Sequence, residues 1–197
     1  MVYARPILVF LTVLFAVAPA AAAPVNIVAI GASNTSGWGV GAQNAYPALL
    51  QAMLRKRGVE ANVTNAGVLG DVTAGMLRRL DGAVPRGTDI VILQPGANDL
   101  RFFGTKEARA ANIAAMVSRL RARGIRVIVY DPPEIPSDFY QWDHIHFNAA
   151  AHAKIAATLT DEVIAALKAR PVAEPASAAA PVAAPTPSPA TAATPKQ

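Results

Sequence analysis

Four short runs rich in valine and isoleucine, residues 25–30, 61–64, 89–93 and 126–130, recur along this chain with a segment of helical period after each. Strands that are apolar on both faces need cover on both sides, so these runs predict strands buried within layers. The cover comes from predicted helices over 45–57, 72–80, 106–123 and 149–169. Gly58, Gly124 and Pro171 mark their ends, and Asp71 and Asn148 are the expected N-caps. Strand and helix in strict alternation imply parallel pairing through right-handed crossovers. The predicted fold class is therefore α/β, a small doubly wound parallel sheet of about four strands with helices on both faces.

The two ends of the chain stand apart from this pattern. A single Arg5 precedes an apolar stretch over residues 7–17, and alanines follow at 20–23 in an A-x-A pattern. That order predicts a secretory signal over 1–23, too short to span a bilayer comfortably, with no second candidate span after it. The last segment, 171–197, is almost wholly Pro, Ala, Ser and Thr, a composition that buries too little to offset chain entropy. It is expected to be a disordered, semi-extended tail. One compact domain, 24–170, remains, and the expected location is periplasmic or secreted.

There is no cysteine, which removes disulfides, thiolate zinc sites and thiol catalysis. The formal charge of +5 comes from arginines and lysines grouped near predicted helix ends, where they complement the helix dipole, so no nucleic-acid partner is expected. No glycine pattern after the first strand matches a nucleotide-binding loop.

Ligands of open parallel sheets bind beyond the carboxyl ends of the strands. Those ends read "GASNTSG", "NAGVLGD", "QPGANDL" and "DPPEIPSDFYQWDHIHFN". Acyl transfer requires a hydroxyl nucleophile, an imidazole base, a carboxylate to fix the imidazole and donors for an oxyanion. Ser33 supplies the hydroxyl from the first end. Asp143 and His146, three residues apart on a tight turn before a helix, supply the carboxylate and the imidazole. His144 points differently on such a turn. Gly70 offers a backbone N–H that a carbonyl can approach closely, and Asn98 offers a neutral amide donor. Asn34, Thr35 and Ser36 are turn and capping residues within reach of substrate. Each of these positions alone also fits ordinary turn chemistry; the combination at one sheet edge does not.

The ordered set resembles the SGNH hydrolases, or GDSL-like esterases and lipases, over most of residues 25–167, and in particular their small bacterial thioesterase, lysophospholipase and arylesterase members. The family's first block is similar to "IGASNTSGWGV", its second-block glycine matches Gly70, its G-x-N-D matches Gly96, Asn98 and Asp99, and its D-x-x-H matches Asp143 and His146. The resemblance implies a flavodoxin-like three-layer sandwich and a Ser33–His146–Asp143 triad. It also implies an oxyanion hole made by the Ser33 and Gly70 backbone N–H groups and the Asn98 side chain. Two departures stand out. Ala32 replaces the family's aspartate before the serine, which removes that carboxylate's hydrogen bonds but no triad member. Only forty-four residues separate Asn98 from Asp143, fewer than in typical small members, as if a helix and strand had been trimmed away.

The Pro-rich connection before Asp143 carries Phe139, Tyr140 and Trp142, which together with Trp38 are the candidate substrate-shaping aromatics. The expected activity is a secreted serine hydrolase of small carboxylic esters or thioesters working through an acyl-enzyme, monomeric and without cofactor or metal. The competing reading is a catalytically weak or inactive envelope-binding module, favoured by Ala32. A metallohydrolase on Asp143, His144 and His146 lacks a fuller ligand pattern, since the only other histidine is His152 on the last helix.

Overall fold

The computed structural model describes residues 23–101, 104–131 and 135–169. The predicted signal, apart from its last residue, and the predicted tail lie outside the described residues, as do Pro132 and Pro133. Four parallel strands, β1 (Val25–Gly31), β2 (Ala61–Gly67), β3 (Ile90–Gln94) and β4 (Arg126–Val129), form one sheet in the order β2-β1-β3-β4.

The pleat explains why both faces are covered. Along β1, Ile27 and Ala29 point to one side while Val28 and Ile30 point to the other; along β3, Ile90 and Ile92 alternate likewise with Val91 and Leu93. The first set packs on α2 (Tyr46–Lys56) and α7 (Ala149–Lys168). Those helices present buried rows spaced by four residues, Tyr46, Leu50 and Leu54 on α2 and Ala151, Ile155, Leu159 and Val163 on α7. The second set packs on Met76 of α3 (Thr73–Arg78), Leu80 of α4 (Leu80–Ala83), and Met116 and Leu120 of α6 (Lys106–Ala122). Truncating one of these leucines to alanine costs about 2–5 kcal/mol. The predicted three-layer α/β fold is what the chain adopts.

Local details differ from the expected elements. The single helix predicted over 72–80 is two short helices, α3 and α4. Asp71 does not cap α3, whose N-cap is Val72 with no side-chain cap bond; the Asp71 carboxylate is held by Arg79 instead. Asn148 does cap α7, accepting from the Ala151 N–H at 3.0 Å. β2 runs on through Asn65, Ala66 and Gly67, so its loop is only "VLGD". Polar Asn65 is tolerated there because β2 is an edge strand and the Asn65 amide donates to the Thr35 carbonyl.

Candidate active site

With this strand order the crevice between neighbouring connections opens at the carboxyl ends of β1 and β3. β1 stops at Gly31, where any Cβ would collide with Thr35 Oγ1. The chain then makes one helical turn, α1 (Ser33–Ser36), and leaves it through Gly37 at φ 85°. The Ala32 carbonyl accepts from the Thr35 and Ser36 N–H groups, and the Ser33 carbonyl accepts from Gly37, Trp38 and the Ser36 hydroxyl. Ser33 is thereby fixed at the first position of a tight turn and is 7% exposed.

Beneath it lies a buried polar chain. Thr35 Oγ1 donates to Gln94 Oε1 at 2.6 Å and lies 3.4 Å from the Tyr46 hydroxyl. Burial pushes the Tyr46 phenol far above its ordinary value, so it stays protonated. The third histidine, His152 on α7, accepts the Tyr46 backbone N–H on Nδ1 at 3.2 Å, which leaves the proton on Nε2, an atom with no partner among the described residues. Burial pushes His152 down to about 4, and it serves the core.

The second loop is locked onto the first. Arg79 bridges the two, donating through Nη2 to the Gly31 carbonyl at 3.0 Å and pairing through Nε with Asp71 at 2.7 Å. Gly70 follows at φ 72°, exposed, with nothing near its absent Cβ. From the third loop, Asn98 opens α5 (Asn98–Arg101), and its Nδ2 donates to the Asp71 carbonyl at 2.9 Å. An amide has two N–H bonds, so this contact fixes its orientation and leaves a second donor. Asp99 is buried and accepts the Thr73 N–H at 3.0 Å and the Thr73 hydroxyl at 2.5 Å. Arg109 clamps the Gly96 carbonyl with two N–H groups and pairs with Asp131 at 2.7 Å.

On the fourth connection Asp143 Oδ2 lies 2.5 Å from His146 Nδ1, while Asp143 Oδ1 accepts the Ile145 and His146 backbone N–H groups at 3.0 Å. The His146 backbone bond, then its ring bond, then the Ile145 bond hold the Asp143 carboxyl well below the usual range. The pair is thus an ionised carboxylate fixing one ring nitrogen and leaving Nε2 for other work. His144 takes a positive φ of 55° and has no part in this pair.

The structure brings the first and fourth loops together at one residue. Asn34 accepts the Phe147 N–H at 2.8 Å and donates to the Ile145 carbonyl at 3.5 Å, so it grips both neighbours of His146. Gln141 Nε2 adds a bond to the Trp38 carbonyl at 2.8 Å, and the Trp38 ring lies 5.8 Å from the His146 ring. No hydrogen bond joins Ser33 to His146 directly among the described residues; the link runs through Asn34. A small open cleft is lined by Ser33, Gln94, Gly96, Asn98, Arg101 and Ile145 among others. Gly70 does not line it. Of the remaining aromatics, Phe139 lines a second cavity beside Tyr130 and Lys154, Tyr140 packs on Phe147 at 5.5 Å, and Trp142 is 89% exposed.

Reading the strand ends alone misses the cross-loop ties of Asn34, Gln94, Arg79, Arg109 and Gln141. Most of these ties cross from one loop to another, and only the convergence of the loops hints at them.

An arylesterase of Vibrio mimicus is 30% identical over 124 residues, covering 62% of this chain and 62% of that protein. Esterase TesA of Pseudomonas aeruginosa is 31% identical over 110 residues, covering 55% of this chain and 54% of its own length. The chain thus spans little more than half the length of these relatives. The crystal structure of the psychrotrophic esterase EstA from Pseudoalteromonas sp. superposes with a TM-score of 0.64 at 20% identity, over 73% of this chain and 99% of that one. The model of the GDSL-like Lipase/Acylhydrolase family matches residues 29–192. A switch-point cleft carrying Ser33 and Asn98, a D-x-x-H pair gripped from the serine's own turn, and a family match over most of the sequence lead to one conclusion: the chain belongs to the GDSL-like lipases and acylhydrolases.

Proposed function

We propose that this protein is a serine hydrolase that cleaves carboxylic esters or thioesters through an acyl-enzyme on Ser33. The observation that carries the reading is the grip of Asn34 on both sides of His146, one residue from the Ser33 hydroxyl. In this mechanism neutral His146 takes the Ser33 proton on Nε2 as the hydroxyl attacks the substrate carbonyl, and returns it to the leaving group. Asp143 keeps the imidazole in the tautomer protonated on Nδ1 and stabilises the imidazolium. The tetrahedral oxyanion is met by the second N–H of the Asn98 amide and by the backbone N–H groups of Ser33 and Gly70. Water then repeats the sequence on the acyl-enzyme.

Neither Gly70 nor His146 is among the residues that line the cleft, so their roles rest on the resemblance and on the loop ties rather than on the cleft wall. The curated relatives named above act as an arylesterase and an esterase, which supports the ester class. The protein acts outside the cytoplasm in this reading, and sequencing the N-terminus of the mature protein tests it. A fluorophosphonate probe tests the chemistry: it should label the parent protein and fail on Ser33→Ala, and an ester panel of graded acyl length should lose turnover in the same variant. A parent protein that resists the probe and hydrolyses nothing would favour a non-catalytic binding module. Ala32 favours that second reading, because its methyl group is buried in the same apolar cluster as Val28 and Ile30, where the family carries a carboxylate.

A further inference from the structure

Three arginines stand on or beside the loops that build the cleft, and two of them are occupied. Arg79 is held by Asp71 and the Gly31 carbonyl, and Arg109 by Asp131 and the Gly96 carbonyl. Arg101 is different. It ends α5, lines the same cleft as Ser33 and Asn98, and forms no ion pair among the described residues. The other described side chains on the cleft wall are uncharged, so its guanidinium is the one formal charge there among the described residues.

Among the described residues, the carboxylates of the neighbouring segments do not pair with it. Asp99 is buried on Thr73, Asp71 pairs with Arg79, Asp131 pairs with Arg109, and Asp143 pairs with His146. The stem that carries Arg101 is also anchored, since the buried Asp99 two residues before it is tied to α3 and accepts the Gly104 N–H on its backbone carbonyl at 2.7 Å. A guanidinium has five N–H donors in a planar fork suited to a carboxylate or a phosphate.

We propose that Arg101 is a specificity-determining residue that receives an anionic group of the substrate, so that the preferred ester or thioester carries a carboxylate or phosphate a few bonds from the scissile carbonyl. The inference rests on the assignment of Ser33 as nucleophile. It names a chemistry and leaves two carriers, the acyl chain or the leaving group, for the test to separate.

Matched ester pairs read the charge preference as a ratio of kcat/KM within each variant, so that general effects of a substitution cancel. For the acyl side the pair is 4-nitrophenyl butyrate and the mono-4-nitrophenyl ester of succinic acid. For the leaving-group side it is phenyl acetate and 3-carboxyphenyl acetate. In at least one pair the anionic-to-neutral ratio should fall about tenfold in Arg101→Gln, as a charge-assisted contact implies, and recover in part in Arg101→Lys. The same ratio in the parent should shrink with added salt. An unchanged ratio in both pairs overturns the subsite and leaves the hydrolase standing. Full turnover of both neutral esters by Ser33→Ala overturns the hydrolase assignment, and the subsite with it.

Discussion

Ser33 stands at the end of a strand paired on both sides, with its turn resting on a buried chain of Thr35, Gln94 and Tyr46; His146 stands on a long connection that leaves the edge strand β4. The first residue is held by the core. The second is held by its own carboxylate and by ties from loop to loop, Asn34 and Gln141 above all. A polar group in the interior must be fully partnered or it destabilises the fold, whereas a tie between exposed loops adds little stability and mostly sets geometry. Damage on the Ser33 side should therefore lower stability, and damage on the His146 side should lower the rate of the proposed hydrolysis.

The largest effect tests the chemistry itself. Ser33→Ala should cut kcat by roughly a thousandfold or more with an unchanged circular dichroism spectrum. Next comes Asn34→Ala, which frees both neighbours of His146; kcat should fall about 10- to 100-fold while the urea midpoint moves little. A variant with normal kcat would show that His146 needs no tether for the proposed chemistry. On the other side, Thr35→Val leaves Gln94 Oε1 without its donor in the core, and it should cost about 1–3 kcal/mol in urea unfolding.

A fourth expectation concerns acid. His152 is held near 4 by burial, below its unfolded value of about 6.5, so between those values the unfolded chain binds the extra proton. The stability contributed by neutral His152 is present in full above about pH 6.5 and is lost as pH falls toward 4, up to about 3 kcal/mol. Thermal melts across that range should be flatter for His152→Asn than for the parent. Last and smallest, Arg57 and Asp161 form a pair exposed on both sides, and Arg57→Ala should change stability by less than about 0.5 kcal/mol.

Much of the architecture was legible because burial on two faces leaves a plain signature. β1 and β3 are apolar through Ile27–Ile30 and Ile90–Leu93, and their ends fall within one residue of the predicted runs. The sequence predicts β2 too short because Asn65 looks like loop, and its role emerges only with Thr35 beside it. Asp71 looked like a helix cap because it precedes a helix, yet a guanidinium eight residues on claims its carboxylate. The Asp143 and His146 pair was legible because three-residue spacing on a turn is local chemistry. Asn34 and Gln141 were not, since a lone polar residue has no period and the groups they tie from loop to loop, the Phe147 N–H and the Trp38 carbonyl, lie far along the chain.

Asn148 does more than begin α7. Its side chain also donates to the carbonyls of Asp138 and Tyr140, so the opening turn of that helix and the approach to His146 are sewn together. Helix ends fray before sheets melt. Warming should therefore silence the proposed hydrolysis first and unfold the chain afterward, with turnover disappearing at a temperature where the four-stranded centre still gives its native spectrum.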